Sequence, residues 1–341
     1  MPHKRARRPA NSMREAMYYE QAAGGAVNCA LCPHRCRIAA GRVGICKVRK
    51  NIEGKLYSIN YGRISSWALD PIEKKPLYHF FPGSMIFSVG SIGCNFRCKF
   101  CQNWQIAQLT DIPTQELSPE ELIRAAERQA GNIGIAYTYN EPTIWYEYVL
   151  VCAKLARQKG LKNVLVTNGF IEKEPLEELL PYIDAMNIDV KAFSEDFYQD
   201  LTFGRLSPVK RTVEIAQARC HVEVTTLIIP GMNDEDEEIE ELARWLASLR
   251  KDIPLHLSRY FPNYKLDLPP TPVDRIKTAR DIAKKYLDYV YTGNIIDDVG
   301  SNTYCPSCGK LVIKRSGYIT HSKVKDNKCP HCKAYISITE D

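Results

Sequence analysis

The sequence predicts an α/β fold, a partial (β/α)6 TIM-like barrel flanked by an N-terminal Cys-rich segment and a C-terminal zinc ribbon. Three observations lead there. From Met85 onward, short apolar runs alternate with amphipathic helical stretches at similar intervals, as parallel strands joined by helical crossovers do. Polar or glycine-bearing groups recur just past the apolar runs, where such a barrel carries its chemistry. Of thirteen cysteines, only Cys152 and Cys220 stand outside three tight groups. The organisation expected is a basic tail with a short helix over 1–20, a metal-binding segment over 21–82, the barrel over 83–298 and the ribbon over 299–341.

In chain order, His3, Lys4, Arg5, Arg7 and Arg8 make the tail basic, with no apolar signal core after them. A short helix is expected over Ser12 to Tyr19, ending before Gly24 and Gly25. Next, Cys29, Cys32, Cys36 and Cys46 supply four thiolates, enough for structural zinc or for an auxiliary four-iron cluster; His34 between them reads as a loop residue. Lys47 to Phe81 reads as a small β-rich or irregular segment to which the sequence assigns no role.

Strands are expected at Met85 to Val89, Ile133 to Tyr139, Asn163 to Thr167, Ala185 to Val190, Val222 to Ile229, Pro254 to Tyr260 and Tyr289 to Tyr291. Between them, Ser118-Pro119-Glu120-Glu121 combines an N-cap, a proline at the first helical position and a capping-box glutamate. Further helices are expected over Thr143 to Gln158, Pro175 to Leu180, Pro208 to Ala218, Glu235 to Leu249 and Val273 to Leu287. The acidic run Asp234 to Glu238 reads as a solvated helix start that complements the macrodipole. Cys152 and Cys220 read as buried small hydrophobes, and His221 as structural.

At the end of the first expected strand, Cys94, Cys98 and Cys101 stand at C-x3-C-x2-C, one thiolate fewer than a cubane cluster has irons. A zinc or redox site with a distant fourth ligand is the competing reading. Beyond the ribbon boundary, Cys305, Cys308, Cys329 and Cys332 form two C-P-x-C knuckles, the pattern of a structural zinc ribbon, with a strand at Leu311 to Lys314.

Composition limits the rest. At 341 residues and 45% hydrophobic content the chain supports a sizeable core, and the net charge of +6 is mild. Weak attraction to an anionic partner such as RNA is the alternative to a simply solvated tail. No run of about 18 apolar residues occurs, so no membrane span is expected, and clustered thiols point to a reducing, cytoplasmic setting.

With Cys94 to Cys101, the βα repeats and the strand-end groups together, the chain resembles the radical S-adenosylmethionine (SAM) superfamily over Met85 to Gly293. More closely it resembles the pyruvate formate-lyase activating enzymes and, through Cys29-Ala30-Leu31-Cys32-Pro33-His34-Arg35-Cys36, Tyr139-Asn140-Glu141-Pro142 and the ribbon, the AmmeMemoRadiSam enzymes. The resemblance implies a [4Fe-4S] cluster on Cys94, Cys98 and Cys101, with SAM on the open iron. It implies that Phe100 meets the adenine through its backbone, that Tyr139, Asn140 and Glu141 bind the SAM amino group, and that Thr167 and Asn168 line the ribose. Asp189 and Lys191 match an Asp-x-Lys motif near the SAM carboxylate, and His256 matches a histidine near the nucleoside. Two glycines of the family pattern are Tyr139 and Asn140 here, and an aspartate linked to a cation site is Val166.

The activity implied is reductive cleavage of SAM and hydrogen abstraction by the 5′-deoxyadenosyl radical under anaerobic conditions. A one-electron reductant such as ferredoxin or flavodoxin is implied as partner. The substrate, small molecule or protein, is not identified; installing a glycyl radical on a partner enzyme is one alternative, and a non-catalytic metal-binding or nucleic-acid-binding scaffold the other.

Overall fold

The computed structural model describes residues 13–296 and 299–340. At its centre lies an eight-stranded sheet whose strands follow one another in chain order: β1 (Ser66–Pro71), β2 (Met85–Gly90), β3 (Asn132–Tyr137), β4 (Lys162–Thr167), β5 (Ala185–Asp189), β6 (His221–Ile228), β7 (Leu255–Arg259) and β8 (Val290–Gly293). Strands β2 to β8 pair in parallel, and β1 lies antiparallel to β2. Because each crossover leads to the adjacent strand, the loops after β2 to β7 all emerge along one edge. The sheet is open, since no ladder joins β1 to β8 among the described residues.

Among the described residues, seven α-helices of five residues or more accompany it: α1 (Trp104–Gln108), α2 (Pro119–Glu127), α3 (Tyr146–Gln158), α4 (Lys173–Leu179), α5 (Leu206–Ala216), α6 (Asp236–Leu249) and α7 (Val273–Ala283). The capping box before α2 forms as its sequence requires, with Ser118 Oγ accepting from the Glu121 N–H and Glu121 accepting from the Ser118 N–H. The acidic run also opens a helix. Asp236 pairs with Arg275, and Glu238 accepts from the Phe193 N–H. Helix α1 and strand β1 are not foreseen by the apolar periodicity, the first because it spans barely more than one turn.

Alternation along the strands sorts the core into two layers. Phe87, Val89, Ile135, Tyr137, Leu165 and Ile188 face the large cluster shared with the helices. Their neighbours Ile86, Ala136, Val164 and Ala185 meet Ile72, Leu77 and Phe80 from the connection between β1 and β2. Lys47 to Phe81 therefore has a role that its sequence did not declare: an edge strand followed by an apolar plug on the sheet face turned away from the large cluster.

The helix expected over Ser12 to Tyr19 is not formed. Arg14–Glu15 pairs with Lys55–Ser58 and Tyr19–Ala22 with Ala26–Cys29, while Tyr18 between them takes φ +57°. Local propensity yields here to tertiary contacts: Tyr18 packs edge-on to Tyr146, and its hydroxyl bonds Glu178. The rest of the basic tail lies outside the described residues.

The C-terminal residues form a three-stranded antiparallel sheet, Thr303–Tyr304, Leu311–Ser316 and Ile319–Ser322, with its own small core of Val312, Ile313, Val324, Ile336 and Ile338. It is seated on the plug. Thr339 exchanges backbone hydrogen bonds with His79 and Phe81, and buried Arg315 reaches the Tyr78 carbonyl. No helix among the described residues is long and apolar enough to cross a membrane.

Candidate active site

The loop from β2 to α1 carries Cys94, Cys98 and Cys101, and its path is fixed from several directions. Asn140, just past β3, donates to the Gly93 carbonyl and accepts from the Ser91 N–H. A segment beyond β5 straps the loop: the Arg97 N–H donates to Thr202 and the Lys99 N–H to Leu201. Gln108 Nε2 holds the Phe96 carbonyl at 3.0 Å. Phe96 itself is packed so closely that a Cβ on Gly204 would lie 2.4 Å from its ring, which accounts for glycine there.

Burial pushes the Cys98 thiol up to about 12 although neighbouring Lys191 opposes the shift, and burial likewise raises Cys94 and Cys101. A bound metal cation reverses shifts of this kind and holds such thiols as thiolates. The donor set is three thiols flanked by an ion pair. Lys191 Nζ lies 2.5 Å from Asp189 Oδ2 at the end of β5. Burial alone would lower Lys191, but Asp189, Cys98 and Cys101 outweigh it and hold its ammonium charged. Phe100 is buried beside Phe197.

Across the strand ends, Glu141 ties β3 to β4. Its carboxylate accepts from the Thr143 N–H, the Thr167 hydroxyl at 2.7 Å and the Asn168 N–H at 2.8 Å. Burial nonetheless raises its pKa. A carboxylate offers about four lone-pair positions, so three donors leave room for one more. Asn168 then reaches back to the cysteine loop, donating to Asn95 Oδ1 at 2.8 Å, with Cys94 Sγ at 3.8 Å.

Tyr139 adopts φ +71°, a region that favours glycine. Its carbonyl accepts from Asn103, and its hydroxyl donates to Asp70 while the Lys75 ammonium sits over its ring. The side chain thus turns onto β1 and the plug.

The structure gathers Cys94, Cys98, Cys101, Asn140, Glu141, Thr167, Asn168, Asp189 and Lys191 around one strand edge. His256 is committed elsewhere. Its Nε2 lies 2.6 Å from Glu223, which also receives His221 Nε2 and the His79 N–H, and its ring stacks on Tyr291. Two further residues at the same edge carried no sequence signal: Trp104 and Tyr264 stack at 5.1 Å and 14°, linking the loops after β2 and β7.

The remaining cysteine groups differ in geometry. In the C-terminal set, Cys305 and Cys332 Sγ are 3.6 Å apart and Cys308 and Cys329 Sγ 3.8 Å, and all four sulfurs lie within 4.8 Å of one another. That set can hold a metal ion. Cys29, Cys32, Cys36 and Cys46 instead line a cavity with His34 and Arg49.

The family model described as the Radical SAM superfamily matches residues 89–246. The chain is 44% identical, over 96% of its length and 99% of the relative's, to the uncharacterized protein MJ0808 of Methanocaldococcus jannaschii. It is 28% identical to the putative glycyl-radical enzyme activating enzyme MJ1632 of the same organism, over 58% of this chain and 76% of that one. To the pyruvate formate-lyase-activating enzyme of Streptococcus mutans it is 23% identical, over 60% of this chain and 87% of that one.

Proposed function

The chain belongs to the radical SAM superfamily, and from that membership we propose that Cys94, Cys98 and Cys101 hold its [4Fe-4S] cluster, with SAM on the remaining iron. The observation that carries the reading is three thiols, Cys98 buried and Cys94 and Cys101 partly so, on the loop leaving the first parallel strand, beside the Asp189–Lys191 pair. When bound, the cluster would supply the single electron needed for reductive cleavage of SAM to methionine and a hydrogen-abstracting 5′-deoxyadenosyl radical.

The chain's own groups bind, orient and exclude water. The Lys191 ammonium meets the SAM carboxylate as a charge partner, with Asp189 holding it in place. The lone pair left free on Glu141 accepts from the SAM amino group, and Asn168 and Thr167 are locked by Glu141 at the ribose side. Buried Phe100 keeps water from the adenine side.

The substrate is unidentified, and the names of two relatives support a second reading, installation of a glycyl radical on a partner enzyme. Those matches span 58% and 60% of this chain. The cysteine motif at 29–36 and the C-terminal thiols support the AmmeMemoRadiSam assignment instead. At the C-terminal site the short sulfur spacing suits one zinc, whose bonds of about 2.3 Å set a tetrahedral edge of about 3.8 Å. A low-potential one-electron carrier is the partner that the chemistry requires.

Electron paramagnetic resonance of anaerobically reconstituted, reduced protein tests the cofactor assignment. Adding SAM shifts the cluster signal, and Lys191→Met weakens the concentration dependence of that shift. A signal indifferent to SAM at saturating concentration contradicts the assignment. Substrates deuterated at the reacting carbon, one a small molecule and one a glycyl peptide, then separate the two readings by which label enters 5′-deoxyadenosine.

A further inference from the structure

The geometry points to a second polynuclear iron–sulfur cluster of the four-iron type, held by Cys29, Cys32, Cys36 and Cys46, with Arg49 as N–H donor to it. All four thiols line one cavity, together with the apolar side chains of Leu31, Ile38 and Ile144. Cys29 and Cys46 are buried and the other two partly exposed.

Spacing separates a cluster from a single ion. Around one zinc, four thiolates share tetrahedral edges of about 3.8 Å. The C-terminal thiols meet that condition; among the described residues they are the group of ligating side chains whose donor atoms all lie within 4.8 Å. The N-terminal thiols line their cavity without meeting that 4.8 Å condition. A four-iron cluster places each thiolate on a different iron and so needs the wider arrangement.

Arg49 is the second, independent observation. Its side chain is 2% exposed and lines the same cavity. One amino group is used, donating to Glu147 and to the Met17 carbonyl. Nε and Nη1 are buried with no hydrogen-bond partner among the described residues. Orphaned N–H groups on a buried guanidinium are costly, and cluster sulfides and thiolates are acceptors that hydrogen bonds are known to tune. Zinc held by four thiolates offers no bridging sulfide to such a donor.

The cavity also adjoins the Cys94 loop. His34, on its wall, has Nε2 at 2.8 Å from the Asn95 carbonyl, and a Cβ on Gly93 would lie 2.7 Å from the Cys46 carbonyl. The inference does not rest on the role proposed for Cys94, Cys98 and Cys101, so its test removes them.

Full-length protein carrying Cys94→Ala, Cys98→Ala and Cys101→Ala is reconstituted anaerobically with iron and sulfide. It is compared with the same variant bearing Cys32→Ser and Cys36→Ser, after circular dichroism has shown both folded. The first is expected to exceed the second by about four iron and about four sulfide per chain. A difference of one zinc without sulfide, or no difference, overturns the inference. Arg49→Lys in the first protein is expected to keep the iron and shift the midpoint potential downward; an unchanged potential overturns the role of Arg49.

Discussion

Asn168 Nδ2, at the end of the fourth strand, lies 2.8 Å from Oδ1 of Asn95, the residue that follows the first cysteine of the triad. Asn95 in turn donates to the Phe170 carbonyl, so the cysteine loop is tied to the β4–α4 connection at two points. Asn168→Ala leaves Asn95 Oδ1 buried without this donor, a loss on the order of 1–3 kcal/mol. Urea unfolding of the purified protein is expected to show that decrease, with faster iron loss to a chelator from the Cys94 site.

Glu141 makes three hydrogen bonds that join two strand ends, and the SAM amino group is the proposed fourth donor. Glu141→Gln turns an NH2 group toward donors and removes the charge. Equilibrium dialysis of reconstituted protein is expected to give a SAM dissociation constant raised by about tenfold to a hundredfold, the equivalent of one or two charged hydrogen bonds. Unchanged affinity would remove Glu141 from the binding site.

Gly204 faces Phe96 where a Cβ would come within 2.4 Å of the ring. Gly204→Ala therefore forces Phe96, and the loop between Cys94 and Cys98, to move. Overpacking of this kind costs about 1–3 kcal/mol. A lower melting temperature together with reduced iron occupancy is the expected result; a lower melting temperature with full occupancy would uncouple the loop from Phe96.

His79 sits fully buried between the Ser337 carbonyl and the Tyr291 hydroxyl. Burial lowers its pKa to about 4 despite the attraction of Glu223. The unfolded chain takes up a proton near the ordinary histidine value of about 6.5 that the folded state refuses, so stability is lost as pH falls from there toward about 4. The full effect is on the order of 3 kcal/mol. Glu223 is also held low, against the effect of burial, by His221 and His256; its contribution is lost only below the ordinary carboxylate range. Urea midpoints of the wild type are expected to drop between about pH 7 and about pH 5, and those of His79→Gln to drop less.

What could be read from the sequence followed from local signals. Cysteine spacing, the Ser118 capping box and the alternation of apolar runs each depend on residues a few positions apart. Strand β1 escaped notice because Ser66–Pro71 carries Asp70 and Pro71 and is defined by pairing with Met85–Gly90. Glu141 could be named, but its partners Thr167 and Asn168 arrive from the next strand end, so its three hydrogen bonds were invisible. His256 is likewise fixed by Glu223 across the β6–β7 ladder. Tyr18, at φ +57°, shows the reverse case, a helical stretch broken by contacts with Tyr146 and Glu178 far along the chain.

Incubating anaerobically reconstituted, dithionite-reduced protein with SAM, and following the products by liquid chromatography and mass spectrometry, tests whether Cys94, Cys98 and Cys101 hold a SAM-cleaving cluster. 5′-Deoxyadenosine and methionine are expected in equal amounts from the wild type and neither from Cys98→Ala. SAM left intact by wild-type protein with a filled Cys94 site, or cleavage undiminished in Cys98→Ala, would overturn that assignment.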